Sequence, residues 1–356
     1  MELKLNHVLK LQLFILIAIF LILELVLAYN LWNLIQAKQP VHIMEGIDNH
    51  SGIIADETVS RRIDGLPVLN GRENLYPAAV VIDNHPASRS NYGLSAASVV
   101  YEAHVENGAT RFLALYTPNS EQENTIKKIG PVRSARPYFV EIAKEYDALF
   151  AHAGGSPQAI KYITKLEVHS MDEIAWWGPD YYWRVYSRQA PHNLFISEEN
   201  LAKAVIDWQL GEKIPDYRAW KFSDELDNMQ GEKAEEVYVD FSLGADFDVK
   251  YVYNTTTQSY LRFQGEEEHM DAINNRQISA ANIVIQYIPR EIVLDVVGRL
   301  HLDLIGQGKA LIFRDGIKIS GSWKRRSLES RTIFYNQQDE EIHFKPGNIW
   351  IAITDK

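Results

Sequence analysis

From about Gly231 to the C-terminus the chain is a succession of short β-prone runs, and this change of grammar limits the fold more than any other feature. VYVDF, DVKYVYN, SYLRF, NIVIQYI, RLHLDLI, KALIFRDG, IKISGSW, RTIFYN, EIHF and NIWIAI follow one another with turn signals between them, including RDG at Arg314 to Gly316 and KPGN at Lys345 to Asn348. Short runs rich in Val, Ile and aromatics, punctuated by Gly, Pro, Asn and Asp, close into antiparallel sheet. Residues 232–356 are therefore expected to form a mainly antiparallel β domain, with 212–231 as the linker that precedes it.

Upstream the periods are mixed. AAVVID (Ala78 to Asp83) is an apolar run stopped by DNHP, the pattern of a buried strand ending in a turn. VVYEAHVE (Val99 to Glu106) alternates, which puts Glu102, His104 and Glu106 on one strand face, expected to be hydrated, and Tyr101, Ala103 and Val105 on the other. RFLALYT (Arg111 to Thr117) is its expected hairpin partner across ENGAT. PYFVEIAKEY starts with Pro137 in a favourable first turn and carries an apolar stripe of Phe139, Ile142, Ala143 and Tyr146. ALFAH reads as a strand, GGS as a turn, and PQAIKYITKL as a helix with Ser156 at its N-cap and Pro157 at N1. In SEENLAKAVIDWQLG, Ser197 is the cap, Glu198 and Glu199 sit at the positive end of the dipole, and Gly211 is the stop. Residues 71–211 are thus a mixed α/β domain, and the globular part as a whole is α+β.

The N-terminus sets the expected compartment. Between Lys10 and Lys38 lies LQLFILIAIFLILELVLAYNLWNLIQA, without a polar side chain from Leu13 to Leu23. An apolar stretch of about 20 residues spans a bilayer. Lys4 and Lys10 favour a cytoplasmic n-region at 1–10, and Tyr29 and Trp32 suit the outer interface. Glu24 lies past the purely apolar run, where neutralisation or snorkelling accommodates it. The expectation is one transmembrane helix at 11–35, retained because apolar and aromatic residues continue to Ile35; a signal peptide cut after the small residues Val26 and Ala28 is the alternative. In both cases the globular part lies outside the cytoplasm, at the cell membrane, behind an extracytoplasmic tether at 36–70 that shows no sustained periodicity.

Composition narrows the chemistry. The chain is 46% apolar and 23% charged, as globular proteins are, and its net charge of −11 excludes a general nucleic-acid binder, which needs a basic face. Any anion site has to be local. There is no cysteine, which removes disulfides, thiolate metal sites, thiol nucleophiles and the lipid-attachment residue of a lipoprotein together. No H-E-x-x-H, S-x-x-K or Walker A pattern occurs, so no metal and no cofactor is expected.

Three blocks punctuated by Gly, Pro and Arg stand out: IGPVRSAR (Ile129 to Arg136), HAGGSP (His152 to Pro157) and RQAPHN (Arg188 to Asn193). Gly and Pro fix backbone shape, while guanidinium forks seek carboxylate or phosphate oxygens. Arg136 precedes a proline and so is biased out of the α region, which places Arg133 and Arg136 in the loop entering a helix, beside its unpaired N–H groups. The bland alternative is that they pair with Asp83, Glu102 or Glu106 and brace loops. HAGGSP has the strand–turn–helix form of a nucleophile elbow, but Gln158 stands where G-x-S-x-G needs glycine, so a capping role for Ser156 competes with a nucleophilic one. His152 is a candidate acid/base, Gly154 and Gly155 are candidate backbone donors, and Arg188 and His192 complete the candidate ligand set, with loop bracing as the alternative for Arg188 and Asn193. The aromatics of MDEIAWWGPDYYWRVY either line a groove or pack on the domain.

At these residues the chain resembles a known family. AAVVIDNHPASRSNYGLSAASVVYEAHVENGATRFLALY, IGPVRSARPYF, DALFAHAGGSPQA and APHNLF, followed by NIVIQYI, GKALIFRDGIKISGSWKR and PGNIWIAI, resemble in order the YerB-type family, described as bacterial envelope lipoproteins of unknown function. The resemblance covers Leu66 to Asp355. It implies family positions at Asp83, Asn84, Glu102, Glu106, Arg111, Arg133, Arg136, His152, Gly154, Gly155, Ser156, His192 and Asn193, with no catalytic role attached. Members commonly carry a lipid-modified cysteine, which this chain replaces with its hydrophobic segment.

Two expectations follow. The first is a membrane-anchored extracytoplasmic module that binds an anionic envelope polymer or an envelope protein, with Arg133, Arg136 and Arg188 as cations, His152 and the Gly154 to Ser156 backbone as donors, and Asp83 orienting an arginine. The alternative is a cell-envelope hydrolase with His152 as base beside an arginine-lined anion site.

Overall fold

A computed structural model describes residues 58–119, 125–175, 177–225, 231–241 and 245–356. The expected n-region, the transmembrane helix at 11–35 and the tether up to residue 57 lie outside the described residues. Among the described residues no helix is long and apolar enough to cross a membrane.

The β-prone runs form strands, and the strands of both segments enter one sheet. This 11-stranded mixed sheet runs from Ser170–Asp172 at one side through Leu149–His152, Ala78–Asp83, Thr110–Tyr116 and Val99–His104. It continues directly into Ile349–Thr354, Asn282–Tyr287, Gly306–Arg314 and Ile317–Arg325. The seam is the last strand of the chain: Ile349–Thr354 is parallel to both its neighbours, with Ile351 opposite Tyr101 on one side and Val284 on the other. All six of its residues are buried, which accounts for an apolar run without alternation. The expected hairpin across ENGAT is present, with His104 opposite Thr110. Asp315 and Gly316, at φ 52° and 75°, make the two-residue turn between Gly306–Arg314 and Ile317–Arg325.

The change of grammar at 212–231 is local, since the sheet bridges it. Within this stretch Tyr217 and Trp220 are buried, and Lys221–Phe222 pairs in parallel with His343–Phe344. Thr58–Ser60 and Pro67–Leu69, at the end of the stretch read as a tether, pair as an antiparallel hairpin with Ile63 and Asp64 buried between them. Strands of three residues are too short to leave a periodic signature.

Alternate residues of the central strands feed two cores, as the period of a strand requires. Ala79, Val81, Tyr101, Leu113 and Leu115 pack with Tyr138, Phe139 and Ile142 of helix Pro137–Glu145. Val80, Ile82, Val100, Phe112 and Ala114 share the other core with Leu201 and Ala204 of helix Glu198–Asp207 and with Val237, Val249, Tyr251 and Tyr260. The last four belong to a five-stranded antiparallel sheet built on Glu236–Val239, Val249–Asn254 and Ser259–Gln264. The strand face expected to be hydrated is therefore covered, and Glu102 and His104 are buried.

Three α-helices occur among the described residues, where the sequence places them: Pro137–Glu145, Pro157–Lys165 and Glu198–Asp207. Ser197 Oγ accepts the Asn200 amide at 3.1 Å as the expected cap. The third helix ends ahead of Gly211, because Gln209 takes the left-handed conformation at φ 57°.

Candidate functional site

The IGPVRSAR loop is laid across the ends of two strands by its own backbone. Asp83 donates its amide to the Pro131 carbonyl, Arg133 donates to Val81, and Ala135 donates to Gly154, each at 2.9 Å. Val132 donates to the Leu194 carbonyl at 2.8 Å, just after the RQAPHN block. These bonds bring parts of all three blocks to the end of Ala78–Asp83.

Asp83 is the hub, 2% exposed. Its Oδ2 lies 2.6 Å from His192 Nδ1 and 3.1 Å from Arg133 Nε, and its Oδ1 accepts the His85 amide at 3.2 Å. A carboxylate only accepts, so His192 Nδ1 carries the hydrogen and Nε2 keeps a lone pair in the neutral ring. No group among the described residues hydrogen-bonds that Nε2. His85 stacks on His192, with centroids 5.1 Å apart and planes within 18°. Sequence reasoning missed His85; the signal for it was its place in the DNHP turn beside Asp83.

Three guanidiniums converge on two carboxylates. Arg136 sits in extended backbone at the N-cap of helix Pro137–Glu145, as Pro137 dictates, and grips Glu106 through Nε and Nη2, both at 2.6 Å. Burial alone would raise the Glu106 carboxyl, but the Arg136 hydrogen bonds and charge outweigh it and hold it below its ordinary value. Arg111 is opposite Asp83 in strand register and buried, with Nη1 on the Ser134 carbonyl at 3.1 Å and Nε without a partner. Burial, then the charges of Arg136 and Arg133, push its pKa down to about 10. Arg133 is partly exposed, and its terminal nitrogens make no hydrogen bond among the described residues. The cluster thus holds more positive than negative charge, with Arg133 and His192 at its accessible edge.

The other candidates have internal roles. Arg188 donates to the carbonyls of Ser88 at 2.8 Å and Ser90 at 3.0 Å and lies over the Tyr92 and Phe195 rings, so it braces the loop after His85. Asn193 Oδ1 accepts from Arg184 at 3.0 Å. His152 is fully buried, with Nδ1 2.8 Å from the Gly154 carbonyl and Nε2 2.9 Å from Ser170 Oγ. Burial lowers its pKa despite Asp172 nearby. Gly154, at φ +60°, donates to Asp172 Oδ1 at 2.6 Å, Gly155 pairs in parallel with Ala135, and Ser156 donates its amide to the Ala135 carbonyl at 3.2 Å. Ser156 Oγ caps its helix on the Ala159 amide at 3.2 Å. The His152–Ser156 catalytic pair is therefore not formed, because both imidazole nitrogens and the hydroxyl are bonded elsewhere.

Two hollows lie away from the blocks. One of about 610 Å³ is lined by Tyr238, Asp240, Lys250 and Glu266, and one of about 220 Å³ by Gly231, Lys318 and Asn336. Neither includes a residue of the three blocks. Among the described residues no group of three or more His, Asp or Glu side chains is placed to hold a metal ion.

Fold and site define a layered, mixed-sheet protein that carries a cationic loop cluster at the end of a central strand. Residues 64–209 match the N-terminal domain, and 237–351 the C-terminal domain, of the family described as "Protein of unknown function (DUF3048)", and the chain belongs to that family. It is 31% identical over 279 residues to "Putative lipoprotein YerB" of Bacillus subtilis (strain 168), covering 78% of this chain and 81% of that protein. The crystal structure of the YerB protein from Bacillus subtilis is similar at a TM-score of 0.71 and 29% identity, covering 84% of this chain and 97% of that one. The family suggested by the sequence motifs is the family shown.

Proposed function

We propose that this protein is an extracytoplasmic envelope module, anchored by residues 11–35, that binds an anionic group of a cell-envelope polymer or envelope protein at the Asp83–Arg133–His192 cluster. The observation that carries the reading is Arg133. Asp83 Oδ2 holds its guanidinium as an ion pair, 3.1 Å from Nε, while the terminal nitrogens make no hydrogen bond among the described residues and the Arg111 charge lies close by. A guanidinium held in this way is preorganised for a carboxylate or phosphate. With a net charge of −11 over the chain, attraction is confined to this patch. The description "Putative lipoprotein" carried by YerB supports an envelope location, the hydrophobic run here standing in for the lipid.

The test is binding of the full chain, held in lipid nanodiscs, to purified wall polymer bearing phosphate or carboxylate groups. Arg133→Ala should weaken binding about tenfold or more, as the loss of a charge-assisted hydrogen bond does, and binding should fall with added salt. Unchanged affinity in a folded Arg133→Ala variant would overturn the reading.

A hydrolytic reading survives only in altered form. An imidazole held by a buried carboxylate with its Nε2 free is the arrangement of a general base, so the base would be His192 in place of His152. Release of fragments from wall material, abolished by His192→Ala, would support it; no release by the unaltered chain would remove it.

A further inference from the structure

The tip of the hairpin formed by Glu291–Val293 and Leu300–Leu302 is unlike the rest of the surface. Val293, Leu294, Val296 and Val297 are 64%, 46%, 106% and 54% exposed, four large aliphatic side chains within five residues. The base of the hairpin is fixed: Leu302 and Leu304 are buried in the core beneath helix Pro137–Glu145, and Glu291 Oε1 holds His104 Nδ1 at 2.8 Å. A tip that exposes apolar side chains on a rigid stalk has a surface to meet.

The turn also satisfies four of its own amides. Leu294 donates to the Arg299 carbonyl at 2.7 Å and Gly298 to the Asp295 carbonyl at 2.9 Å, while Asp295 Oδ1 takes the Val297 and Arg299 amides at 3.1 and 3.2 Å. The one carboxylate in the tip is matched by a cation, with Arg299 Nη1 2.9 Å from Asp295 Oδ2. Amides bonded within the turn and a neutralised charge lower the cost of leaving water for the interfacial layer. A protein partner would ordinarily be met by Trp, Tyr or Arg anchors, or by unpaired strand amides, and this tip offers aliphatic side chains.

We infer that residues 293–297 insert into the interfacial layer of the bilayer and hold the domain against the membrane. The inference rests on the reading that residues 11–35 anchor the chain. Lys38 and Thr58 are separated by about 20 residues, a reach of at most about 70 Å when extended, so an anchored chain keeps Thr58 within that distance of the bilayer.

The chain has no cysteine, so Val296→Cys provides a single labelling site in the full-length protein. An environment-sensitive fluorophore there, with the full chain in phosphatidylcholine–phosphatidylglycerol vesicles at high lipid-to-protein ratio, should shift to the blue and lose fluorescence to shallow spin-labelled lipids. The same label at Ile214→Cys, 72% exposed elsewhere on the surface, should stay water-like and unquenched. Adding Val293→Asp and Val297→Asp should abolish quenching at 296. A water-like signal at 296 in a chain that co-floats with vesicles overturns the proposal and leaves the anchor intact. Quenching that survives the aspartates belongs to the dye, and a blue shift that grows with protein-to-lipid ratio belongs to a second copy; either overturns it. A chain that fails to co-float overturns the anchor and the tip together.

Discussion

Glu102 Oε2 and Arg262 Nη2 stand 2.7 Å apart with both side chains almost wholly buried, and they tie the strand beside the seam of the large sheet to the sheet packed over it. Every part of the pair is engaged. Glu102 Oε1 accepts from Asn84 at 3.1 Å and Thr110 at 2.7 Å, and Arg262 reaches Gln264 Oε1 at 3.0 Å, contacts His269 Nδ1 and lies 4.9 Å from the Trp350 ring centroid. Burial and the Arg262 charge hold His269 well below its ordinary pKa, so it accepts from the guanidinium as a neutral ring.

Removing one member of this pair should therefore harm the fold more than removing both. Glu102→Gln or Arg262→Met leaves a buried charge without its counterion and should cost about 3–5 kcal/mol, whereas the double variant should recover part of the loss. Urea midpoints of the three variants measure this as a cycle. A loss in the double variant equal to the sum of the two single losses would count against a coupled pair.

His104 gives stability a pH dependence of definite sign. Burial alone would lower its pKa, but the hydrogen bond and charge of Glu291 and the Phe241 carbonyl outweigh burial and raise it. A raised folded-state pKa contributes stability that is fully present below the ordinary histidine value near ~6.5 and is lost as pH rises through the folded value. Glu291→Gln should flatten this part of the profile. Thermal midpoints at closely spaced pH values, compared between the two proteins, check it.

Glu141 works in the same direction on a carboxyl group. Burial raises it to about 7, more than Arg325 Nη1 at 3.7 Å and the other nearby charges lower it. Its folded-state value exceeds its unfolded one, so the associated stability is present in acid and declines as pH rises towards 7. Glu141→Gln should make the protein more stable than the unaltered chain above pH ~7, by roughly 1–3 kcal/mol, with little difference at low pH. Denaturant midpoints at pH 5 and pH 8 separate the two conditions.

What the sequence disclosed was local. Caps, prolines and turn residues placed the three helices, and apolar runs placed the strands, because those signals act over a few residues. Whether 349–354 closes a separate domain or fills the seam depends on partners far away in sequence, at Val99–His104 and Asn282–Tyr287, and no local pattern encodes that choice. SYLRF was misleading in a physical sense: Tyr260, Arg262 and Gln264 face inward while Leu261 and Phe263 are only half-buried, the reverse of ordinary alternation. The inward Arg262 is the partner that lets Glu102 be buried, and the alternation of VVYEAHVE by itself does not disclose it. The three blocks were legible as a polar centre, yet the share of each was not, since bracing and binding arginines look alike until their carboxylates are located.

Ser156 separates the two original meanings of HAGGSP. Its hydroxyl accepts the Ala159 amide at 3.2 Å, and Pro157 follows at the first helical position, so its role is to satisfy a backbone donor that would otherwise be unpaired. Ser156→Ala should lower stability by about 1 kcal/mol, and Ser156→Asp, another good cap, should restore most of it. A nucleophile would behave differently, because aspartate restores a cap but cannot replace an attacking hydroxyl. Paired measurements of unfolding midpoint and wall-polymer binding on both variants decide the matter: the midpoint should drop for alanine and recover for aspartate, and binding should not move in either. A loss of binding shared by both variants, with stability unchanged, would return Ser156 to the site.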